Sequence, residues 1–151
     1  MPVRDRIQQQ RAFQSVASEA VISLAVAADH LDQVTEAVCQ RHGLTADQYN
    51  VLRILRGVYP GGHPRCEIAR RMIHRSPDVT RMLDRLCRQG IVARARNPED
   101  RRESVATITR AGLALLERVT PDLEQAHAEL TATLSEPELR RLSRLCDALV
   151  P

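Results

Sequence analysis

Two short runs with the pattern of β-strands, residues 91–96 and 105–109, lie on either side of the polar loop PEDRRES. Both runs are rich in β-branched or alternating residues, and together they predict one β-hairpin. Elsewhere the chain places apolar residues three and four positions apart, which is the period of amphipathic helices. The sequence therefore predicts a mainly α-helical protein with one small hairpin.

A long helix is predicted near the start of the chain. Apolar or small residues recur at spacings of four and three from Ala17 to Val38, so that one helical face persists for nearly three heptads. Gly43 is expected to end this helix. The next helix is expected to begin at Thr45, with Gln48 three residues on completing a capping box.

Two further helices are predicted after the break at YPGGHP. The first, in RCEIARRMI, is short and is expected to face inward with Ile68, Ala69, Met72 and Ile73. The second is expected to have Ser76 as N-cap and Pro77 as first residue, to bury Val79, Met82, Leu83 and Leu86, and to stop at Gly90. Two helices joined by a short turn predict a helix-turn-helix.

The end of the chain predicts two more helices. Thr109 is expected to cap the first, which tolerates Pro121 with a kink or a break. Ser135 and Glu138 form a capping box for the second. The apolar stripes at both ends of the chain exceed what one small domain needs to cover, so a homodimer joined through these helices is expected. We expect a single domain over residues 1–151, with dimerisation helices at 1–42 and 111–151 and a DNA-binding lobe at 45–110.

The composition limits the core and indicates the partner. The 151 residues contain no Trp, one Phe and two Tyr, so the core must be built from aliphatic residues and Met. Residues 65–110 hold twelve arginines against six acidic residues, a net charge of +6, and there is no lysine anywhere in the chain. Positive charge concentrated in one segment favours a polyanionic partner.

A hairpin that follows a helix-turn-helix is a wing, and the fold predicted is a winged helix-turn-helix. Its second helix enters the major groove of DNA, where residues near its N-terminus reach base edges. Arg81 is suited to a bidentate contact with guanine, and a wing arginine, Arg102, is expected in the minor groove with Asp100 as its brace. The complete set of expected DNA-facing residues is Arg75, Ser76, Asp78, Thr80, Arg81, Arg85, Arg94, Asp100, Arg101 and Arg102.

Three segments resemble the MarR family of bacterial transcriptional regulators: TADQYNVLRIL, EIARRMIHRSPDVTRMLDRLCRQGIVAR and NPEDRRESVATITRAGLALLE. The resemblance covers roughly residues 15–149, and the wing DRR followed by a T-x-x-G helix start is its most specific element. It implies a homodimer that reads a pseudo-palindrome in double-stranded DNA, commonly as a repressor released by a small ligand. Such an effector is expected near Tyr49, Leu52 and His63. The early cysteine of the peroxide-sensing members is absent.

Other functions were weighed against this one. No nucleophile elbow, phosphate loop or HExxH motif is present, so an enzyme is not expected. A zinc-responsive regulator using His63, Cys66 and His42 or His74 stays open, as does a redox-responsive one. A winged-helix module that binds protein would not need so many arginines. No cofactor and no membrane span are expected, and the polar N-terminus favours a cytoplasmic protein.

Overall fold

The computed structural model describes residues 1–75, 78–96 and 104–150, and the chain divides into two compact units, Met1–Ala46 and Asp47–Pro151. Helices dominate both units, and a small antiparallel sheet belongs to the second. The prediction of a mainly helical fold with a small hairpin is confirmed. Within the described ranges, no helix is long and apolar enough to cross a membrane.

The first unit contains a short helix α1, Val3–Arg6, and the long helix α2, Val16–Arg41. The side chain of Ser15 caps α2 by accepting a hydrogen bond from the backbone N–H of Ser18 at 3.1 Å. At its other end α2 is followed by Gly43, whose φ of +73° costs little without a Cβ atom. The predicted end of this helix is confirmed, whereas α1 was not predicted from the polar N-terminal sequence.

Three helices build the first half of the second unit. Helix α3, Ala46–Arg56, begins directly after Thr45, where a helix start was predicted. Helix α4, Arg65–Arg71, and helix α5, Val79–Arg88, form the predicted helix-turn-helix. Helix α5 ends before Gly90, which has a φ of +71°, as predicted.

The prediction that Ile73 faces inward was wrong. Its side chain is 72% exposed, while the neighbouring Met72 is buried. Helix α4 ends at Arg71, and Met72 takes an extended conformation with a ψ of 142°. Because the helical period stops there, Ile73 no longer lies on the face that continues from Ile68.

Helix α5 also begins later than predicted. Its N-cap is Asp78, whose Oδ1 accepts a hydrogen bond from the backbone N–H of Arg81 at 3.2 Å. Asp is about as good an N-cap as Ser, and Asp78 has this role in the structure. Ser76 and Pro77, the predicted start, lie outside the described residues.

The sheet has three strands in the order β1-β3-β2, with β1 at His63–Pro64, β2 at Val92–Arg96 and β3 at Ser104–Ile108. Strands β2 and β3 are antiparallel, so the predicted hairpin is confirmed. Strand β1 was not predicted, because two residues carry no periodicity. It lies close against β3: a Cβ on Gly62 would come within 2.2 Å of the carbonyl oxygen of Ala106.

Two helices complete the described chain: α6, Arg110–Leu130, which continues through Pro121 without a break, and α7, Glu136–Asp147. The predicted capping box is present, since a carboxylate oxygen of Glu138 accepts the backbone N–H of Ser135 at 2.8 Å. The Ser135 hydroxyl also donates to this carboxylate at 2.6 Å, and this bond, together with the backbone N–H bond, holds the pKa of Glu138 below its usual value.

The core of the second unit is aliphatic, as the composition predicts. Its fully or nearly fully buried side chains are Val51, Leu52, Leu55, Ile68, Met72, Val79, Leu83, Leu86, Val92, Ala106, Ile108, Leu115, Leu116, Val119 and Leu123. Each completely buried Leu contributes about 1.5–3 kcal/mol relative to an exposed one. Leu83 and Leu86 on one face of α5, and Val92 and Ile108 at the base of the hairpin, therefore hold α5 and the hairpin to this core.

A junction at Thr109 connects the base of the hairpin to helix α6. The Thr109 hydroxyl lies 2.7 Å from the carbonyl oxygen of Gly90 and 3.0 Å from that of Ile91, and it accepts the backbone N–H of Gly112 at 3.2 Å. The backbone N–H of Thr109 also donates to the Ile91 oxygen at 3.0 Å. A Cβ on Gly112 would come within 2.4 Å of that same oxygen, which explains the T-x-x-G spacing.

Substitution of Gly112 by Ala should destabilise the protein, because the new methyl group overlaps a backbone oxygen that is already held by Thr109. We expect a loss of about 1–3 kcal/mol in the free energy of unfolding, the range for overpacked sites. The measurement is urea denaturation followed by circular dichroism. Ala114→Ser, at an exposed position of the same helix, is the control and should change stability by less than about 0.5 kcal/mol. Equal stability of both variants would contradict the close approach at Gly112.

Candidate nucleic-acid interface

Helix α5 has one buried face and one basic face. Val79, Leu83 and Leu86 are buried, whereas Arg81, Arg85 and Arg88, spaced by four and three residues, are exposed. This spacing places the three guanidinium groups on one side of the helix. The helix therefore exposes a row of positive charge to solvent, while its opposite face packs into the apolar core.

The N-terminus of α5 is organised by Asp78. In addition to capping the helix, the Asp78 carboxylate lies 3.4 Å from Nε of Arg81, with the Arg81 side chain 76% exposed. A carboxylate at a helix N-terminus is stabilised by the helix dipole and by the unpaired backbone N–H groups there. The acidic residue among the predicted DNA-facing positions thus has a structural role that needs no DNA.

The turn before α5 is tied to α3. Oδ1 of the buried Asn50 accepts the backbone N–H of Ile73 at 2.9 Å, and Nδ1 of His74 lies 3.6 Å from Oδ1 of Asp47. Among the described residues the Asn50 Nδ2 has no hydrogen-bond partner. Sequence reasoning missed Asn50, although a polar residue within the apolar stripe of α3 was the available signal. The Asn50 hydrogen bond therefore ties the turn before α5 to α3.

The predicted DNA-facing residues separate into three groups. Arg75, Asp78, Thr80, Arg81 and Arg85 are exposed at or near the N-terminal half of α5. Arg94 instead lies on β2 with its guanidinium against α5, 2.5 Å from Asp84 Oδ1 and 3.3 Å from the Thr80 carbonyl oxygen. The remaining predicted residues, Ser76, Asp100, Arg101 and Arg102, lie outside the described residues.

The three predicted effector-binding residues differ in how much surface they offer. Tyr49 and His63 are half-buried, whereas Leu52 is completely buried in the core. The His63 ring nitrogen Nε2 is buried and has no hydrogen-bond partner among the described residues. A ligand would therefore meet Tyr49 and His63 before Leu52.

The described part of the chain offers little support for a reactive cysteine or a metal site. Burial raises the pKa of the Cys39 thiol to about 11, so that it is almost wholly protonated near neutral pH. Burial also raises the pKa of Cys87. Within the described ranges, no three His, Cys, Asp or Glu side chains come together as a metal site.

The arrangement matches known proteins. Residues 44–104 match the model of the MarR family. A MarR transcription factor from Planctomyces limnophilus is 37% identical in sequence, with a TM-score of 0.70, over 91% of this chain and 99% of that one. This chain belongs to the MarR family. It is accordingly a winged-helix transcriptional regulator of a DNA-binding family and not an enzyme.

Two relatives of this MarR-family protein have informative names. The homoprotocatechuate degradative operon repressor of Escherichia coli is 26% identical over 75% of this chain and 75% of the relative. A mutant MarR from E. coli, solved in complex with operator DNA, is 27% identical, with a TM-score of 0.76, over 85% of this chain and 91% of that one. The MarR-family resemblance predicted from the sequence is confirmed.

The cap at Asp78 makes a prediction for stability. Asp78→Ala removes the side-chain acceptor for the Arg81 N–H and should cost about 1 kcal/mol, the usual value for an N-cap. Asp78→Asn keeps an acceptor oxygen in the same place and should cost clearly less. Thermal unfolding of both variants, compared with wild type, measures this difference. If both variants lost the same stability, the negative charge rather than the cap would be what Asp78 provides.

Proposed function

We propose that this MarR-family protein is a sequence-specific repressor that binds a pseudo-palindromic operator as a homodimer and is released by a small-molecule effector. The observation that carries this proposal is the basic face of α5, anchored by buried leucines and followed by the hairpin. A repressor named as such and a DNA-bound MarR are among the relatives, which supports the assignment by similarity. A DNA-binding regulator of this kind would act in the cytoplasm of a bacterium.

The DNA contacts are proposed to differ between α5 and the wing. Arg81, with Thr80, Arg85 and Ser76, would face the major groove, where guanine offers two acceptors to one guanidinium. Arg75 and Arg101 would bind phosphates, and Arg102, braced by Asp100, would lie in the minor groove. Asp78 would act through the cap that orients Arg81.

The dimer is proposed to form through residues 1–42 and 111–151, with residues 45–110 as the DNA-binding lobe. Large apolar side chains in the two terminal segments are exposed in the single chain. They include Val16, Val21, Leu24, Leu31, Leu130, Leu134, Leu142, Leu145 and Leu149. Large apolar side chains left exposed in such number are a sign of an interface. The buried first half of α6, including Leu116 and Val119, belongs to the core, so its second half and α7 would supply the contacts.

The effector is proposed to bind near Tyr49 and His63, with Leu52 behind them. The chain contains few aromatic residues, so stacking on an aromatic ligand would depend largely on Tyr49. The unpaired Nε2 of His63 offers a polar group that a ligand acid or hydroxyl can satisfy. A screen of small aromatic acids for release of bound DNA tests this part of the proposal.

Substitution of Arg81 by Ala and substitution of Arg102 by Ala should affect DNA binding in different ways. Arg81→Ala should cost about 1–3 kcal/mol on duplexes selected by the wild-type protein, and little on random DNA. Arg102→Ala should weaken binding to both and reduce the slope of log K against log salt by about one. Titrations at several salt concentrations measure both effects. Arg118→Ala, at an exposed arginine of α6 outside the proposed surface, is the control.

If Arg102→Ala bound both duplexes as tightly as the wild type, the wing would not contact DNA. If Arg81→Ala weakened binding to random and selected duplexes equally, Arg81 would contribute charge and not sequence recognition. Either outcome would remove the corresponding part of the proposed contact scheme.

The dimer has its own test. Light scattering at micromolar concentration should give twice the 16.9 kDa mass of one chain. Leu145→Asp places a charge on the exposed apolar face of α7 and should shift the protein toward monomer, because a buried unpaired charge is strongly unfavourable. Ser143→Asp, at an exposed polar position of the same helix, should leave the dimer intact. A wild-type monomer mass would contradict the proposal directly.

A further inference from the structure

Among the residues that the structure describes, Arg94 has two hydrogen-bond partners, and both lie on α5. Its Nη1 is 2.5 Å from Oδ1 of Asp84, and its Nη2 is 3.3 Å from the carbonyl oxygen of Thr80. The Arg94 side chain retains 28% of its exposure, compared with 76% for Arg81. The guanidinium of Arg94 is therefore directed at α5, unlike the exposed arginines of that helix.

Thr80 and Asp84 are four residues apart on α5, and the carbonyl oxygen of a helical residue points toward the N–H of the residue four positions on, so both acceptors lie together on one face of the helix. A single bond between a strand and a helix would allow the helix to pivot. One planar guanidinium that binds both a side-chain and a backbone acceptor of α5 restricts the movement of this part of the helix relative to β2. Strand β2 is in turn paired with β3 along its full length, from Val92 to Arg96.

We propose that Arg94 is a positioning residue, which fixes the orientation of the recognition helix relative to the wing through Asp84 and Thr80. In this role Arg94 would allow the α5 arginines and the wing to contact the same duplex at the same time. The proposal rests on the DNA-binding function proposed above. Sites that are held in a fixed arrangement bind as one unit and lose affinity when the arrangement loosens.

The negative charge of Asp84 allows the two accounts of Arg94, direct DNA contact and positioning, to be distinguished by experiment. An acidic residue beside a DNA-binding surface repels phosphates, so its removal should strengthen DNA binding if electrostatics alone mattered. If Asp84 acts by holding Arg94, its removal should weaken binding instead. The two accounts of Arg94, direct DNA contact and positioning, therefore predict opposite effects of one substitution.

Cys87 reports on the positions of the Arg94 and Asp84 charges without DNA. Burial raises the pKa of its thiol, the Arg94 cation opposes that rise, and the Asp84 carboxylate adds to it. Removing Arg94 should raise the pKa of Cys87 further and slow its alkylation, because only the thiolate reacts. Removing Asp84 should lower the pKa and speed alkylation. Peptide-resolved mass spectrometry separates Cys87 from the exposed Cys66.

The experiment compares Arg94→Gln, Asp84→Ala, the double variant and Arg94→Lys on duplexes selected by the wild-type protein. Arg96→Gln is the matched control, since it removes the same charge two residues along the same strand. We expect at least tenfold weaker binding for Arg94→Gln and for Asp84→Ala, and no further loss in the double variant. Arg96→Gln should lose only a few-fold, and Arg94→Lys, which keeps the charge but not the fork, should bind between Arg94→Gln and wild type.

Melting temperatures of all variants should stay within a few degrees of the wild type, because partly exposed ion pairs contribute little to stability. Binding by Asp84→Ala that equals or exceeds wild type, together with equal losses for Arg94→Gln and Arg96→Gln, would overturn the proposal and make Arg94 an ordinary DNA charge. Unchanged Cys87 alkylation in both single variants would also overturn it. A wild-type protein that binds no duplex would instead overturn the proposed DNA-binding function, and the alkylation assay would still show whether Arg94 and Asp84 lie close to Cys87.

Discussion

The Thr109 hydroxyl and the missing side chain of Gly112 hold together the point at which α5, the hairpin and α6 meet. The hydroxyl lies within hydrogen-bond distance of the carbonyl oxygens of Gly90 and Ile91, which connect the end of α5 to the start of β2. Gly112 then lets α6 approach the same Ile91 oxygen without overlap. Leu115, Leu116 and Val119 anchor α6 in the core. The Thr109 and Gly112 contacts therefore hold both the recognition helix and the wing against α6.

Acidic residues have an organising role on a surface whose partner is proposed to be an anion. Asp78 caps α5 and lies beside Arg81, and Asp84 accepts the Arg94 guanidinium. Both carboxylates reduce the positive charge available to phosphates, and each fixes the direction of an arginine or of the helix that carries it. Orientation is gained at the expense of long-range attraction, which suits recognition of a particular sequence more than indiscriminate binding.

Much of this fold could be predicted because its signals are local. Helix ends at Gly43 and Gly90, the Thr109 cap and the Ser135 capping box all follow from a residue and its neighbours within four positions. The errors and omissions have tertiary causes. Ile73 follows the end of α4, where its backbone N–H bonds to Asn50 of α3, and Gly62, beside β1, permits a close approach to β3. The pairing of Arg94 with Asp84 joins a strand to a helix ten residues earlier, which no helical or strand period reveals.

The central claim is that two copies of this chain read one DNA duplex with equivalent recognition helices. The most direct test is to select bound duplexes from a random pool and sequence them. The account predicts two inverted copies of the same short half-site, with centres about one helical turn apart, as for other dimers that insert a recognition helix into the major groove. A single unrepeated motif, or no enrichment of any sequence over the starting pool, would contradict it.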